Sequence, residues 1–170
     1  MNYGRIKTFD MVDGPGIRVT LFVSGCSTHC EKCQNPETWD PNFGQLFTEQ
    51  SFNEIISALK EDWCSGLTLC GGDPLFYLNR EDIAALVKRI KKLFPEKSIW
   101  MYTGYTLDQV KNMMKADANV ALIINTIDVI LEGPYIYKLN DPDKHWVGSS
   151  NQNVYKINHL NNEVVFSLYE

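Results

Sequence analysis

Three cysteines stand close together in a short segment of this 170-residue chain, at Cys26, Cys30 and Cys33. Thiolates bind zinc and iron–sulfur clusters, so this spacing predicts a metal centre. A structural zinc ion usually has four protein ligands, whereas a cubane cluster held by three cysteines leaves one iron free to bind a small molecule. The count of three therefore favours one [4Fe-4S] cluster with an open iron.

A zinc site is the alternative reading. It would need a fourth ligand, either His29 within the cysteine segment or a distant cysteine, Cys64 or Cys70. Cys70 lies in an apolar run and Cys64 beside Trp63 at a predicted helix end, so we expect both to be ordinary buried or half-buried residues. We expect His29 to be a loop residue.

A second motif, formed by Gly71, Gly72, Asp73 and Pro74, follows an apolar run. The missing side chains of the two glycines let a ligand approach the backbone closely. Asp73 can accept hydrogen bonds from an ammonium group. The motif therefore suits the amino-acid part of a ligand, although on its own it could be only a turn.

The elements that position these motifs follow from hydrophobic period and turn signals. Apolar or β-branched runs predict strands at 18–24, 66–70, 98–103, 127–131, 154–157 and 164–168. Helix-start signals stand at 51–54, 79 and 106–109, and residues 120–124 could close a further helix.

Alternating strands and helices predict an α/β fold with a mainly parallel sheet. A complete (β/α) barrel takes roughly 250 residues, so we expect a partial, open barrel that forms one domain over residues 1–170. In parallel sheets the chemistry gathers at the carboxyl ends of the strands. Cys26 and Gly71 each follow a predicted strand, so the two motifs should meet at one face.

Composition narrows the function further. A net charge of −5 argues against nucleic-acid binding, which needs clustered basic residues. No hydrophobic run reaches the roughly 20 residues of a membrane span, and the first ten residues lack the apolar centre of a signal peptide. We therefore expect a cytoplasmic chain without a membrane partner, where clustered cysteines indicate metal binding rather than disulfides.

The cysteine spacing resembles the signature of the radical S-adenosylmethionine superfamily, and the Gly-Gly-Asp-Pro motif resembles its Gly-Gly-Glu motif with aspartate in place of glutamate. Further motifs follow in chain order, at 13–18, 35 and 39, 102–105, 132–135 and 148–152. Taken singly, each could be a turn or a surface loop. In this order and length they are similar to the activating proteins of anaerobic ribonucleoside-triphosphate reductases, a family of glycyl-radical activases.

The resemblance implies an oxidoreductase that cleaves S-adenosylmethionine reductively at the cluster and uses the 5′-deoxyadenosyl radical to form a glycyl radical on the reductase. It implies two partners, the anaerobic ribonucleoside-triphosphate reductase and a one-electron donor such as flavodoxin. Because the radical is borne by the cofactor, no side chain is expected to be catalytic. The alternatives are activation of another glycyl-radical enzyme, such as pyruvate formate-lyase, or a non-catalytic metal or electron-transfer module.

The resemblance also implies which residues bind the two cofactors. Cys26, Cys30 and Cys33 would hold the cluster. The residues expected at S-adenosylmethionine are Lys32, Cys33, Gln34, Gly71, Gly72, Asp73 and Thr103. The turn-rich stretch 133–152 is expected to form part of the surface that meets the reductase.

Overall fold

The computed structural model describes residues 1–161 and 163–169. Its strands are β1 (Asn2–Asp10), β2 (Ile17–Val23), β3 (Gln45–Leu46), β4 (Cys64–Gly71), β5 (Ser98–Tyr102), β6 (Val129–Glu132), β7 (Asn153–Leu160) and β8 (Glu163–Leu168). Its α-helices are α1 (Glu49–Leu59), α2 (Arg80–Leu93), α3 (Leu107–Ala116) and α4 (Ala118–Thr126). Among the described residues, no helix has the length and apolar content to cross a membrane.

The strands form one mixed sheet in the order β3-β1-β2-β4-β5-β6-β7-β8. The four central strands, β2, β4, β5 and β6, run parallel. The prediction of a mainly parallel sheet is wrong, because the four pairings outside this centre are antiparallel. A parallel connection needs a crossover of a dozen or more residues, and only residues 11–16 join β1 to β2.

The first strand in the chain, β1, is not predicted by the period-two pattern. Its pairing with β2 shifts register between Tyr3 and Arg5 and again between Lys7 and Asp10. Each shift changes which face the following side chains occupy, so apolar and polar residues do not alternate cleanly along the strand. The other predicted strands correspond to β2 and β4 through β8.

Helices α1, α3 and α4 begin at a residue whose side chain accepts from a free backbone amide, whereas Asn79 stands at the start of α2 without such a bond. The predicted capping box of α3 is confirmed, with Thr106 as N-cap and Gln109 as its partner. Helix α1 also has a capping box, but its N-cap is Thr48 and Ser51 is the partner. The predicted start at Ser51 was therefore three residues late, because a serine can occupy either position of the box.

The helices pack on one face of the sheet, where buried residues such as Leu67 and Leu69 of β4 form the main core with α1 and α2. A second cluster contains Trp100, Val129 and Leu131, with Trp146 packed against it. Because side chains alternate along a strand, these two clusters occupy opposite faces.

A buried arginine ties the central strands together. Arg18 is 1% exposed, and its guanidinium donates to Thr68 Oγ1 at 2.7 Å and to the carbonyl oxygens of Leu67 and Ser98 at 2.8 and 2.9 Å. Burial lowers the pKa of Arg18 to about 10. One side chain on β2 therefore fixes β4 and β5 beside it.

Candidate functional site

A pocket of about 330 Å³ lies where the central strands end. Its lining includes most of the predicted site residues, namely Cys26, Cys30, Cys33, Gln34, Gly71, Gly72 and Thr103. The cysteine segment follows β2, the two glycines close β4, and Thr103 follows β5. The parallel centre of the sheet thus brings three distant parts of the chain into one pocket.

Two predicted site residues lie elsewhere. The Lys32 ammonium lies 3.7 Å from the centroid of the Tyr137 ring, a cation–π contact. Asp73 is 1% exposed, beneath the pocket rather than in its lining. Direct contact with a ligand through either side chain would need a rearrangement, whereas the backbone of Lys32 belongs to the cysteine segment itself.

Backbone hydrogen bonds join the start of the cysteine segment to residues 38 and 39, which follow it, and form a strap across the segment. The amide of Gly25 donates to the Thr38 carbonyl at 2.7 Å, and the amide of Cys26 donates to the Trp39 carbonyl at 3.3 Å. Two residues between the cysteines, His29 and Lys32, have positive φ of 46° and 55°. The strap and these tight bends hold the three thiols along one wall of the pocket.

The surroundings of the thiols suit cluster ligands. Burial raises the pKa of Cys26 and of Cys30, and backbone amide donors to each sulfur partly offset this rise. The amide of Asn35 donates to Cys33 Sγ at 3.4 Å. Amide donors stabilise thiolates and tune iron–sulfur clusters, so this donor set fits a [4Fe-4S] cluster.

The zinc alternative finds less support. In residues 1–161 and 163–169, no group of three or more His, Cys, Asp or Glu is arranged to hold a metal ion. The His29 imidazole stacks on Trp39 with ring centroids 4.7 Å apart, and Cys64 is buried near the carbonyl of Gly66. In a cubane each cysteine binds a different iron, so the thiols need not converge on one point. Cys70, expected to be an ordinary buried residue, is buried and also lines the pocket.

The two glycines of the Gly-Gly-Asp-Pro motif are needed for packing as well as for access. Gly71 has a positive φ of 95°. A Cβ on Gly72 would lie 2.5 Å from the Gly25 carbonyl oxygen and 2.9 Å from that of Thr38. A side chain at Gly72 would therefore separate the end of β4 from the cysteine segment, and one at Gly71 would meet the backbone of β2 at Phe22 and Val23, reasons that the sequence alone did not show.

Asp73 links the ends of β4 and β5. Its carboxylate accepts from the Thr103 hydroxyl at 3.0 Å to each oxygen, from the Gly104 amide at 2.9 Å and from the Leu75 amide at 2.8 Å. Burial raises the pKa of Asp73 to about 6, and these donors limit the rise. In this structure the carboxylate positions the glycine turn through bonds to protein donors.

Sequence reasoning missed the charged wall of the pocket. Asp13 lines it, and burial together with the nearby Asp10 raises the pKa of Asp13 to about 7. Arg5 and Lys7 from β1 line the same wall. Asp13 belongs to a motif that the resemblance singled out, but no role was assigned to it, and the two basic residues gave no signal because β1 was not predicted.

The motif at 148–152 reaches the pocket through Gln152. Its side-chain amide donates to the Gly133 carbonyl at 2.9 Å, and its oxygen accepts from the amides of Gly148 and Ser149 at 3.0 and 3.1 Å. One glutamine therefore holds two of the predicted motifs together at the pocket, where it is part of the lining.

Comparison with known proteins agrees with this site. A family model described as a 4Fe-4S single cluster domain matches residues 12–155. Proteins named anaerobic ribonucleoside-triphosphate reductase-activating protein are 45% identical in Enterobacteria phage T4, 42% in Escherichia coli and 39% in Vibrio cholerae. These matches cover 91%, 92% and 92% of this chain and 94%, 99% and 98% of the relatives. The chain belongs to this family of activating proteins.

The region matched by the family model can be compared with the lining of the pocket. The region matched by the cluster-domain model contains all three cysteines, the Gly-Gly-Asp-Pro motif and Gln152. Strand β1 lies outside that region. Arg5 and Lys7 are therefore the part of the pocket wall that the cluster-domain model does not cover.

Proposed function

We propose that this chain activates an anaerobic ribonucleoside-triphosphate reductase as an oxidoreductase that uses one [4Fe-4S] cluster and S-adenosylmethionine. The observation that carries the proposal is a single pocket lined by three thiols and by the glycine backbone that ends β4. The names of the relatives give the same target. The cluster and the small cofactor would then lie side by side in this pocket.

Cys26, Cys30 and Cys33 would hold the cluster and leave one iron open to the amino and carboxylate groups of S-adenosylmethionine. When bound, the cluster would supply the electron that cleaves this cofactor, and the resulting 5′-deoxyadenosyl radical would take a hydrogen atom from a glycine Cα of the reductase. The chain itself binds, orients and shields these groups. No side chain is assigned a catalytic proton transfer.

The other cofactor contacts are assigned by position. We propose that Gly71 and Gly72 present their backbone to the methionyl amine, while Asp73 fixes that backbone through its bonds to the end of β5. Thr103 would contact the methionyl or the ribose part of S-adenosylmethionine. The backbone of residues 32–34 would contact the adenine, because this segment continues from the cluster ligands into the pocket lining.

The partner must be large enough to bring a glycine within a folded chain to this pocket. We propose that residues 1–170 form one domain whose sheet is a partial, open barrel, since an open side admits a loop of the reductase. The stretch 133–152 would form part of the contact. Three cysteines make one cluster, so an external one-electron donor such as flavodoxin would reduce it, in the cytoplasm where thiolates stay reduced.

The test is anaerobic reconstitution with iron and sulfide, chemical reduction, and addition of S-adenosylmethionine. We expect 5′-deoxyadenosine, and a glycyl radical signal when the reductase is present. Cys26→Ala, Cys30→Ala and Cys33→Ala should each abolish both products, whereas Cys64→Ala, a buried thiol outside the pocket lining, should keep them.

Two outcomes would contradict the proposal. Wild-type protein that carries a cluster but yields no 5′-deoxyadenosine would be a non-catalytic module. A glycyl radical formed on pyruvate formate-lyase but not on the reductase would assign the chain to a different glycyl-radical enzyme.

A further inference from the structure

Four large apolar side chains are exposed to solvent at the end of the sheet that lies away from the cysteine segment. Phe9, Met11 and Val12, at the end of β1 and just after it, are 59%, 68% and 71% exposed. Trp63, the residue before β4, is 43% exposed, and its ring centroid lies 5.3 Å from that of Phe9. Single exposed apolar residues are common on proteins, whereas a group of aromatic and methionine side chains is typical of a protein–protein contact. We call these four residues the apolar lip.

The apolar lip borders an opening of the pocket. Val12 lines the pocket that contains the three cysteines, although most of its own surface is in solvent. A residue that is both exposed and part of a cavity wall stands where the cavity opens. Val12 also lines an adjoining cavity of about 360 Å³, together with Trp146 and Val147. The lip and the stretch 133–152, already proposed to contact the reductase, therefore border the same cavity.

Hydrogen bonds hold the backbone of the lip on both sides. The buried Asp10 carboxylate accepts from the Thr20 hydroxyl at 2.7 Å and from the Val12 amide at 3.4 Å. The Thr68 hydroxyl of β4 donates to the Asp13 carbonyl at 2.8 Å. The segment between Asp10 and Asp13 is thus fixed at both ends, and a surface that is already ordered loses less conformational freedom when a partner binds.

We propose that the apolar lip is a docking surface for the reductase, which covers it with apolar side chains that flank the glycine-bearing segment. The inference rests on the proposed function, because that function requires a glycine of the partner to enter this pocket. The cysteines line the same cavity beyond the lip. A segment that enters past the lip would therefore approach S-adenosylmethionine from the side away from the thiols. Burial of the lip would supply hydrophobic free energy to hold the segment there.

The experiment compares wild type with the double variant Phe9→Ser, Met11→Ser after anaerobic reconstitution and addition of S-adenosylmethionine. Neither side chain lines the pocket, so we expect full iron content and, without the reductase, unchanged formation of 5′-deoxyadenosine by the chemically reduced protein. The affinity for fluorescently labelled reductase, measured by anaerobic titration, should fall about tenfold or more, because a few buried apolar side chains carry much of the free energy of a contact. The yield of glycyl radical at low activase concentration should fall with it.

Leu46→Ser is the matched control. Leu46 is 63% exposed on β3, which pairs with the other end of β1 at Asn2 and Tyr3, and it lies outside the linings of both cavities. This variant loses an equally exposed apolar side chain away from the lip, so it should bind the reductase as wild type does.

Equal affinity of the double variant and wild type for the reductase would overturn the inference, and so would an equal loss of affinity in Leu46→Ser. Should the double variant lose its cluster or its cleavage of S-adenosylmethionine, a photoreactive benzophenone side chain at position 11 or 46 of the otherwise wild-type chain gives the answer. Crosslinking of the reductase from position 11 but not from position 46 supports the docking surface. No crosslink from position 11, or a crosslink only to a second copy of this chain, refutes it.

The outcomes also separate this inference from the proposed function. If wild type forms no 5′-deoxyadenosine, or no glycyl radical on the reductase, the proposed function fails. If wild type forms both and the double variant binds the reductase equally well, only the role of the apolar lip fails.

Discussion

Removing the hydroxyl of Thr103 tests whether Asp73 works as the link between β4 and β5. In Thr103→Val the side chain keeps its shape but no longer donates to the Asp73 carboxylate, and the Tyr105 amide loses the hydroxyl that it donates to at 3.2 Å. A hydrogen bond to a charged group contributes about 1.5–3 kcal/mol. We therefore expect the apo protein to lose about 2–3 kcal/mol of unfolding free energy at pH 8.

The loss should depend on pH in a defined direction. The pKa of Asp73 is raised to about 6 in the folded protein, above its ordinary value of 3.8, so folding becomes less favourable as pH rises through this interval. Without the Thr103 donor the pKa of Asp73 in the folded protein rises further. The variant should therefore go on losing stability above pH 6, where the stability of wild type no longer changes through Asp73. At pH 5, where the carboxyl is largely protonated, the lost bond is neutral and the difference should shrink to about 1 kcal/mol.

The assay is urea denaturation of wild type, Thr103→Val and Thr103→Ser at pH 5 and pH 8, analysed by linear extrapolation. Valine keeps the methyl and loses the hydroxyl, whereas serine keeps the hydroxyl and loses the methyl, so the pair separates the hydrogen bond from packing. If valine and serine differ by less than about 0.5 kcal/mol at pH 8, or if their difference is as large at pH 5, the Thr103 hydroxyl does not stabilise the charged form of Asp73 and the reasoning is wrong.

Three further predictions follow from buried contacts. Arg18→Met leaves the Thr68, Leu67 and Ser98 acceptors unpaired and should cost about 3 kcal/mol in chemical denaturation; a loss under about 1 kcal/mol would contradict the role of Arg18 as a tie. Gly72→Ala places a methyl 2.5 Å from the Gly25 carbonyl oxygen and should lower the iron bound per chain on reconstitution. Normal iron content would show that the backbone can shift to admit the methyl without disturbing the cysteine segment. Wild type should lose stability from pH 4 to pH 7, because the pKa of Asp13 is raised to about 7 and the folded protein keeps this proton longer than the unfolded chain does. In Asp13→Asn the unfolding free energy, measured by denaturation at each pH, should fall less steeply with pH. An equal slope in both proteins would show that another group titrates.

Local signals predicted the parts of the fold that depend on neighbours in sequence. The strand runs at 18–24 and 98–103, the capping box of Thr106 and the spacing of the cysteines are each readable within a few residues. The edges of the sheet were not readable in this way. Register shifts hide the pattern of β1, and the pattern within each strand does not reveal that β1 and β7 run antiparallel to their neighbours β2 and β6.

The contacts within the pocket were harder still, because each depends on residues far apart in the chain. Nothing around Asp73 in sequence indicates that its partners are Thr103 and Gly104, thirty residues later. Likewise the surroundings of Gly72 give no sign of the Gly25 carbonyl. Sequence could name many of the residues of the pocket, although not Arg5 or Lys7, and it could not divide them between those that face a ligand and those that hold others in place.

That division changes how the Gly-Gly-Asp-Pro motif is understood. A carboxylate that is 1% exposed and accepts hydrogen bonds from the segments that follow β4 and β5 serves the pocket by fixing where Gly71 and Gly72 end their strand. Both of its oxygens already lie 3.0 Å from the Thr103 hydroxyl, so the longer side chain of a glutamate would carry the carboxylate past these donors or push β5 away. The aspartate is therefore matched to the spacing of the two strand ends in this chain. The backbone that it positions, together with the thiols across the pocket, is what a bound amino-acid cofactor would meet.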